Sequence, residues 1–558
     1  MSFVIRCIDC GHKSSFLPKE IKCSNCGSQW RQAEYDFAEV AKIWQQELPK
    51  REFDLWRYRE LLPVMKPSPS LRMGEGGTPL IHAVNLGMML GLNHVYIKDE
   101  RQGPTTSFKD RQAAVTIASL KEWGITEIVV ASTGNVAIAY SAYAARAGIK
   151  LWAFVTSLVP AVKMREIALY GSQVIKVTGS YDQVKQVAAE FAMKRNLYHD
   201  MGARTITSTE GMKTIAFEVA EQLTAALGPV ERDGRKLWRT PDWYIQAISG
   251  GLGPLGVTKG FRELELMGLA EGIPAIAAIQ AEGCAPMVQS WKQGLEEPIS
   301  IQAPKTYIET LATGSPGRTY KLLRAEVDAR HGMFESVTDE ESFRAMHVLA
   351  KMEGISAEPA SGAAFAGLIK MARAGVFKPD DVIVINCTGH TVPAEPVVLG
   401  PGWAKNVVLP QKSEAAAQQQ EEEGLLAALS RVAPDRFPRI AIVDDTSDAR
   451  RLVRRILQSQ GDYEIFEATN GREGIDLIVR ERPDLVILDL MMPEVDGFSV
   501  IDALKSHPET AEIPVIVSTA KELTAEEKNL LKGRIQSLMQ KGDFLSDEFL
   551  DEVRSLIH

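Results

Sequence analysis

Along most of the chain, short runs of β-branched and aliphatic residues alternate with longer stretches whose apolar positions recur at helical spacing. "EIVVAS" at 127–132 is an apolar run of strand length, and "NVAIAYSAYAARAG" at 135–148 reads as a helix that a glycine ends. "KLWAFVT" (150–156), "QVIKVTG" (173–179), "WYIQAIS" (243–249) and "DVIVINCTG" (381–389) repeat the strand pattern. Strands that are apolar on both faces and separated by helices predict an α/β fold with a mostly parallel, doubly covered sheet. A second series begins at residue 439, with strands predicted in "RIAIVDD", "YEIFEAT", "DLVILDL", "PVIVSTA" and "IQSLMQK", helices between them, and a last helix in "SDEFLDEVRSLIH". Between the two series lies the Ala/Gln/Glu-rich stretch "QKSEAAAQQQEEEGLLAALSRVAPDRFP", which buries little and is expected to be a partly helical linker.

A chain of 558 residues is too long for one core. With 45% apolar and 24% charged residues it has the balance of a soluble globular protein. Its net charge of −9 offers no general attraction to nucleic acid or an anionic membrane. No apolar run is long enough to span a bilayer, and "MSFVIRCIDCGHKSS" lacks the regions of a signal peptide, so a cytoplasmic location is expected.

The cysteines change this picture at one end. Cys7 and Cys10 form a C-x-x-C pair, and after twelve residues Cys23 and Cys26 form another, each pair followed by glycine. Two disulfides or free thiols are the alternatives, and a reducing compartment weakens the first. Four thiolates at this spacing suit tetrahedral zinc, with no position left open for catalysis, so the zinc is expected to be structural.

Three polar or glycine-rich segments stand at strand ends, where open α/β sheets bind ligands. "ISGGLGPLG" (248–256) either turns the chain or brings backbone N–H groups together on a phosphate. Asn135 in "STGN" either caps a helix or bonds a ligand oxygen, and "NCTGH" (386–390) ends a further strand. Lys109, in "GPTTSFKDRQ", is by itself either a solvated residue at a helix start or a lysine that holds a cofactor aldehyde.

Taken in order, "GEGGTPL", "SFKDR", "ASTGN", "EGMKTIAFE", "SGGLG", "QAEGCAP" and "CTGH" resemble the fold-type II (tryptophan synthase β-like) pyridoxal-phosphate enzymes, and most closely the threonine synthases. The resemblance spans about residues 55–400, includes "LWRYRELLPV", and extends to the zinc ribbon in front. It implies that Lys109 carries pyridoxal 5'-phosphate as a Schiff base, beside Phe108, and acts as the base at the substrate α-carbon. It further implies that Asn135 bonds the cofactor's 3′-oxygen, that Gly250, Gly251 and Gly253 hold its phosphate, and that Thr388 faces the pyridine nitrogen. Thr105, Thr106 and Ser107 are candidates for substrate carboxylate or phosphate contacts, with helix capping as the other reading. Thr106 stands where these enzymes usually have glycine, Val136 where they have Thr or Ser, and "IETLATGSPGRTY" (308–320) follows their pattern only in part.

In the second series, Asp444 and Asp445 end the first strand, Asp489 the third, Thr519 the fourth and Lys541 the fifth. Carboxylates gathered at one sheet edge need a hard cation such as Mg²⁺. This series resembles a response-regulator receiver of flavodoxin-like (βα)5 fold. The resemblance implies Asp489 as phosphoacceptor, Mg²⁺ on Asp444, Asp445, Asp489 and the Met491 carbonyl, and Thr519 and Lys541 as the switch residues. Leu538 replaces the usual aromatic residue, and Gly542 replaces the usual proline.

The chain thus reads as a zinc ribbon (1–35), a pyridoxal-phosphate domain of two α/β lobes (36–405), a linker (406–438) and a receiver (439–558). The expected activity is that of a threonine synthase: O-phosphohomoserine and water give threonine and phosphate. The expected partners are the amino-acid substrate, a histidine kinase or phosphotransfer protein, and a second copy in a homodimer. A cysteate-synthase-like or threonine-dehydratase-like enzyme, or a non-catalytic amino-acid sensor, is the alternative.

Overall fold

The computed structural model describes residues 3–132, 134–157, 159, 161–390, 404–408, 438–460, 463–519, 523–540, 552–553 and 555–557. The chain forms two compact units, Met1–Val432 and Ala433–His558. Among the described residues, no helix is long and apolar enough to cross a membrane.

The first unit opens with a small antiparallel sheet in the order Lys13–Ser14, Val4–Cys7, Arg31–Glu34. Two larger sheets follow. The six-stranded sheet runs Met333–Val337, Ala275–Ala281, Trp243–Ala247, Val382–Cys387, His94–Asp99, Leu80–His82, and only the last pair is antiparallel. The five-stranded sheet is parallel throughout, in the order Ala404–Val408, Gln173–Thr178, Lys150–Thr156, Glu127–Ser132, Tyr198–His199. The expected strands therefore form, and they divide between two lobes. Every residue of Val382–Cys387 is buried, as a strand covered by helices on both faces requires. The strand Ala404–Val408 carries this unit's sheet past residue 405; the rest of the expected linker, up to residue 437, lies outside the described residues.

The helix Lys109–Glu122 is buried from Asp110 to Leu120 and packs against Asn135–Ala147 and Ile206–Leu227. Its hydrophobic side cannot alone set its register, because almost every position is enclosed. Charge does so instead. Arg111 donates to both oxygens of Glu100 at 2.7 Å, and to Glu218 at 2.6 and 2.8 Å. Lys98 donates to Glu218 at 2.7 Å and to Gln222 at 2.8 Å. All four charged groups are buried. Burial works against the Glu218 carboxylate, yet Arg111 and Lys98 hold it far below the usual carboxylate range.

The second unit is one parallel sheet in the order Glu464–Ala468, Arg439–Val443, Leu485–Asp489, Val515–Thr519, Ser537–Gln540. This is the 2-1-3-4-5 order of the flavodoxin-like fold, whose ligand edge lies at the strand C-termini. Residues 552–553 and 555–557 are helical, in the region of the expected last helix.

Glu218→Ala leaves Lys98 and Arg111 buried with half their counter-charge, so a loss of about 3–5 kcal/mol is expected in denaturant unfolding of the first unit. Glu340→Ala, which removes the exposed partner of Arg344, is the control and is expected to change little.

Candidate functional site

Lys109 begins its helix directly after a tight loop. Asp110 closes that loop, accepting from the Thr105 amide at 2.9 Å and the Thr105 hydroxyl at 2.6 Å. The strand end at 387–389 is stitched to it: Phe108 N–H donates to Thr388 Oγ1 at 3.0 Å, and Gly389 N–H donates to the Thr106 carbonyl at 3.0 Å. Thr388 is fixed in turn by Ser361, whose Oγ accepts from the Thr388 amide at 2.7 Å. Thr105 is thus bound to Asp110 and caps no helix end, Thr106 is exposed, and Ser107 Oγ is buried with no hydrogen-bond partner. Thr106 has φ 58°, a left-handed conformation that strains a β-branched residue.

Lys109 Nζ lies 4.1 Å from the centroid of the Phe108 ring. Its side chain keeps a path to solvent, but the packed protein around it dominates. Burial pulls its pKa down to about 8, while the carboxylates of Asp200 and Glu358 oppose that shift. The neighbouring Asp110 is pushed up to about 7 by burial, against the bonds from Thr105.

Two carboxylates that sequence reasoning missed therefore act on the lysine. Asp200 follows the short strand Tyr198–His199; it is buried and accepts from Tyr140 Oη at 2.5 Å, Ser208 Oγ at 2.7 Å and the Gly202 amide at 2.8 Å. Glu358 precedes Pro359 at the start of the helix Pro359–Arg373. A lone acidic residue at either place carries no pattern in the sequence.

Asn135 is the first residue of its helix and not the cap; Ser132 Oγ takes the capping role, accepting from the Gly134 and Ala137 amides at 2.9 and 3.1 Å. The Asn135 amide is held by Glu358 and Lys163. Gly251, with φ +82°, sits directly before the helix Leu252–Leu266, so the strand Trp243–Ala247 leads into that helix's N-terminus. Its first N–H groups lack intrahelical partners, and Gly250 beside them has nothing within 4 Å of where a Cβ would stand.

Two further clusters carry metal-ligating groups. The sulfurs of Cys7, Cys10, Cys23 and Cys26 lie within 4.8 Å of one another. None of these cysteines is in a disulfide. In the second unit, carboxylate oxygens of Asp444, Asp445 and Asp489 also lie within 4.8 Å of one another. The Met491 amide donates to Asp489 Oδ1 at 3.1 Å, and Thr519 is buried at the adjacent strand end. Lys541 and Gly542 lie outside the described residues.

The family of pyridoxal-phosphate dependent enzymes matches residues 71–389, and the response regulator receiver domain matches residues 440–553. A threonine synthase of Methanocaldococcus jannaschii is 35% identical over 387 residues, covering 69% of this chain and 91% of that protein. A threonine synthase of Methanosarcina acetivorans is 32% identical over 391 residues, with the same coverage of 69% and 91%. Among solved structures, maize serine racemase covers 56% of this chain and 88% of its own, at 21% identity and a TM-score of 0.47.

A lysine with a pKa of about 8 is mostly charged below that pH and becomes a free amine above it. Reaction of Lys109 Nζ with a small aldehyde, followed by mass spectrometry after reduction, is expected to rise with a midpoint near pH 8. Asp200→Asn removes a group that raises the pKa, so its midpoint is expected to fall. A midpoint of about 10, as for a free lysine, would contradict the burial argument.

Proposed function

The chain belongs to the family of pyridoxal-phosphate dependent enzymes, with a response regulator receiver domain as its C-terminal unit, and from that premise we propose that it converts O-phosphohomoserine and water to threonine and phosphate. The observation that carries the reading is Lys109: a lysine of lowered basicity in a loop bonded to the strand end at 387–389, in a chain whose relatives over 91% of their length are threonine synthases.

The residues present fit the cofactor. The turn before Leu252 offers free helix N-terminal amides to a phosphate, and Ser107 keeps a buried, unpartnered hydroxyl for the substrate. Pyridoxal phosphate supplies an electron sink for the substrate's α-carbon. Lys109 would bind it, with Phe108 against the amine; Gly250, Gly251 and Gly253 would cradle its phosphate and Asn135 its ring oxygen. Thr388 Oγ1 accepts from Phe108 and still has its own proton to give to the ring nitrogen. A neutral hydroxyl there, in place of a carboxylate, favours elimination and replacement over transamination. Lys109 Nζ, poised near neutrality, removes and returns the proton at the α-carbon. Thr106 and Ser107 remain the substrate contacts in this reading, with Thr105 shaping their loop.

The cysteines would hold a structural zinc, in keeping with a reducing, cytoplasmic setting. Asp444, Asp445, Asp489 and the Met491 carbonyl would hold Mg²⁺, with Asp489 accepting a phosphoryl group from a histidine kinase or phosphotransfer protein and Thr519 and Lys541 reading it. A homodimer is the proposed assembly.

Purified protein is expected to be yellow, to release one phosphate for each threonine formed from O-phosphohomoserine, and to lose both colour and turnover in Lys109→Ala. Turnover of a different amino acid without phosphate release would assign the same site another substrate. A second prediction concerns control. Phosphorylation adds about −1.5 to −2 charge at Asp489, and a coupling of about 1–3 kcal/mol to turnover or oligomerisation is expected. Beryllofluoride with Mg²⁺ mimics this state, and Asp489→Asn removes it. Equal kinetic constants and oligomer distributions in treated, untreated and variant protein would make the receiver a docking module.

A further inference from the structure

The ring formed by Lys163, Glu358 and Asn135 has so far been given no role of its own. Lys163 Nζ donates to Glu358 Oε2 and to Asn135 Oδ1, both at 2.8 Å, and Asn135 Nδ2 donates to Glu358 Oε1 at 2.7 Å. Lys163 comes from the helix Ala161–Leu169 beside the five-stranded sheet, and Glu358 from the start of Pro359–Arg373 against the six-stranded one, so the ring joins the two lobes. The backbone is cut to admit both side chains. A Cβ at Gly134, where φ is +136°, would lie 2.9 Å from Lys163 Cδ, and a Cβ at Gly389, where φ is +77°, would collide with the Glu358 carboxyl group. These are the glycines of "STGN" and "CTGH".

Glu358 is buried, while Lys163 keeps 22% of its side-chain surface. A largely buried ion pair gains little over apolar packing of the same volume, so stability alone is a weak reason for it. Its position is more telling. The Glu358 amide donates to the Gly389 carbonyl at 3.1 Å, and the Gly389 amide to the Thr106 carbonyl at 3.0 Å, so the ring is tied to the loop that carries Lys109, on which Glu358 also acts. The other carboxylate acting on Lys109 is Asp200, which repels an anion brought beside it. Among the described residues, Lys163 is the cation that forms a salt bridge with either carboxylate.

We propose that Lys163 is the specificity residue for the phosphate group of the substrate, and that Glu358 is the internal anion that holds its place when the site is empty. This rests on the reading of the substrate as a phosphorylated amino acid. When Asn135 turns to the cofactor, Lys163 loses one of its two partners. A phosphate reaching the partly exposed Lys163 then replaces Glu358 on the ammonium, so the charge is never left unpaired. Release of inorganic phosphate lets Glu358 return, which opposes product retention.

The experiment uses the holoenzyme and three ligands: O-phosphohomoserine, L-homoserine, which has the same carbon skeleton without phosphate, and inorganic phosphate. Binding is read by cofactor absorbance for the amino acids and by calorimetry for phosphate. Lys163→Gln is expected to weaken O-phosphohomoserine and inorganic phosphate by about 10- to 100-fold, the loss of one charge-assisted hydrogen bond, and L-homoserine little. Lys163→Arg is expected to retain part of the affinity, and Glu358→Gln, which removes the competing anion, to tighten phosphate. Equal weakening of both amino acids in Lys163→Gln, or weaker phosphate binding in Glu358→Gln, would overturn the proposal. Failure of the wild-type enzyme to release phosphate from O-phosphohomoserine would remove the substrate reading instead. The calorimetric arm still decides for Lys163: phosphate binding lost in Lys163→Gln supports it, and a wild-type holoenzyme that does not bind phosphate overturns it.

Discussion

The catalytic unit depends on the buried charges of Arg111. Its guanidinium stands two residues beyond Lys109 and is shared between Glu100, at the end of one strand, and Glu218, on a helix behind it. A helix enclosed on nearly all sides has no amphipathic stripe to fix its rotation, and small residues such as Ala113 and Ala114 allow it to slide. A fork of fixed donors facing two carboxylates allows one rotation only. That rotation places the first turn, and with it Lys109, beside the strand end at 387–389 of the six-stranded sheet.

Around this fixed point the loop is under tension. Thr106 adopts a left-handed backbone where relatives of this type usually carry glycine, and such a conformation costs about 1–2 kcal/mol. The bonds from the Gly389 amide to its carbonyl and from the Phe108 amide to Thr388 Oγ1 hold it there. Strain of this kind persists only where the surroundings over-determine it, and here they do so next to the lysine. The same strand end that supplies Thr388 also makes room for Glu358, so the geometry of the lysine, its electrostatics and the latch on Asn135 share one piece of backbone.

The receiver unit solves a simpler problem. Three carboxylates come together because they end neighbouring strands of one parallel sheet, and the strand order brings first, third and fourth strands side by side. No long-range charge network is needed to align them, since the register of the sheet does so.

The sequence by itself determined the strands, the helices between them, the two cysteine pairs, the lysine loop and the receiver's acidic edge. Each of these is either periodic, as in "EIVVAS" or "DVIVINCTG", or a short motif whose spacing is its geometry. Only the tertiary structure decided which strands of the first series share a sheet, that Ser132 Oγ and not Asn135 takes the capping role, and that Thr105 belongs to Asp110. It also revealed Asp200, Lys163 and Glu358 around Lys109. Lys163 and Glu358 lie 28 and 223 positions from Asn135, and each of the three is a single charge with no repeat. Local sequence encodes what neighbours in the chain do to one another. A charge set opposite another by the packing of two lobes leaves no local trace, because the low dielectric that makes it matter exists only once the chain has folded.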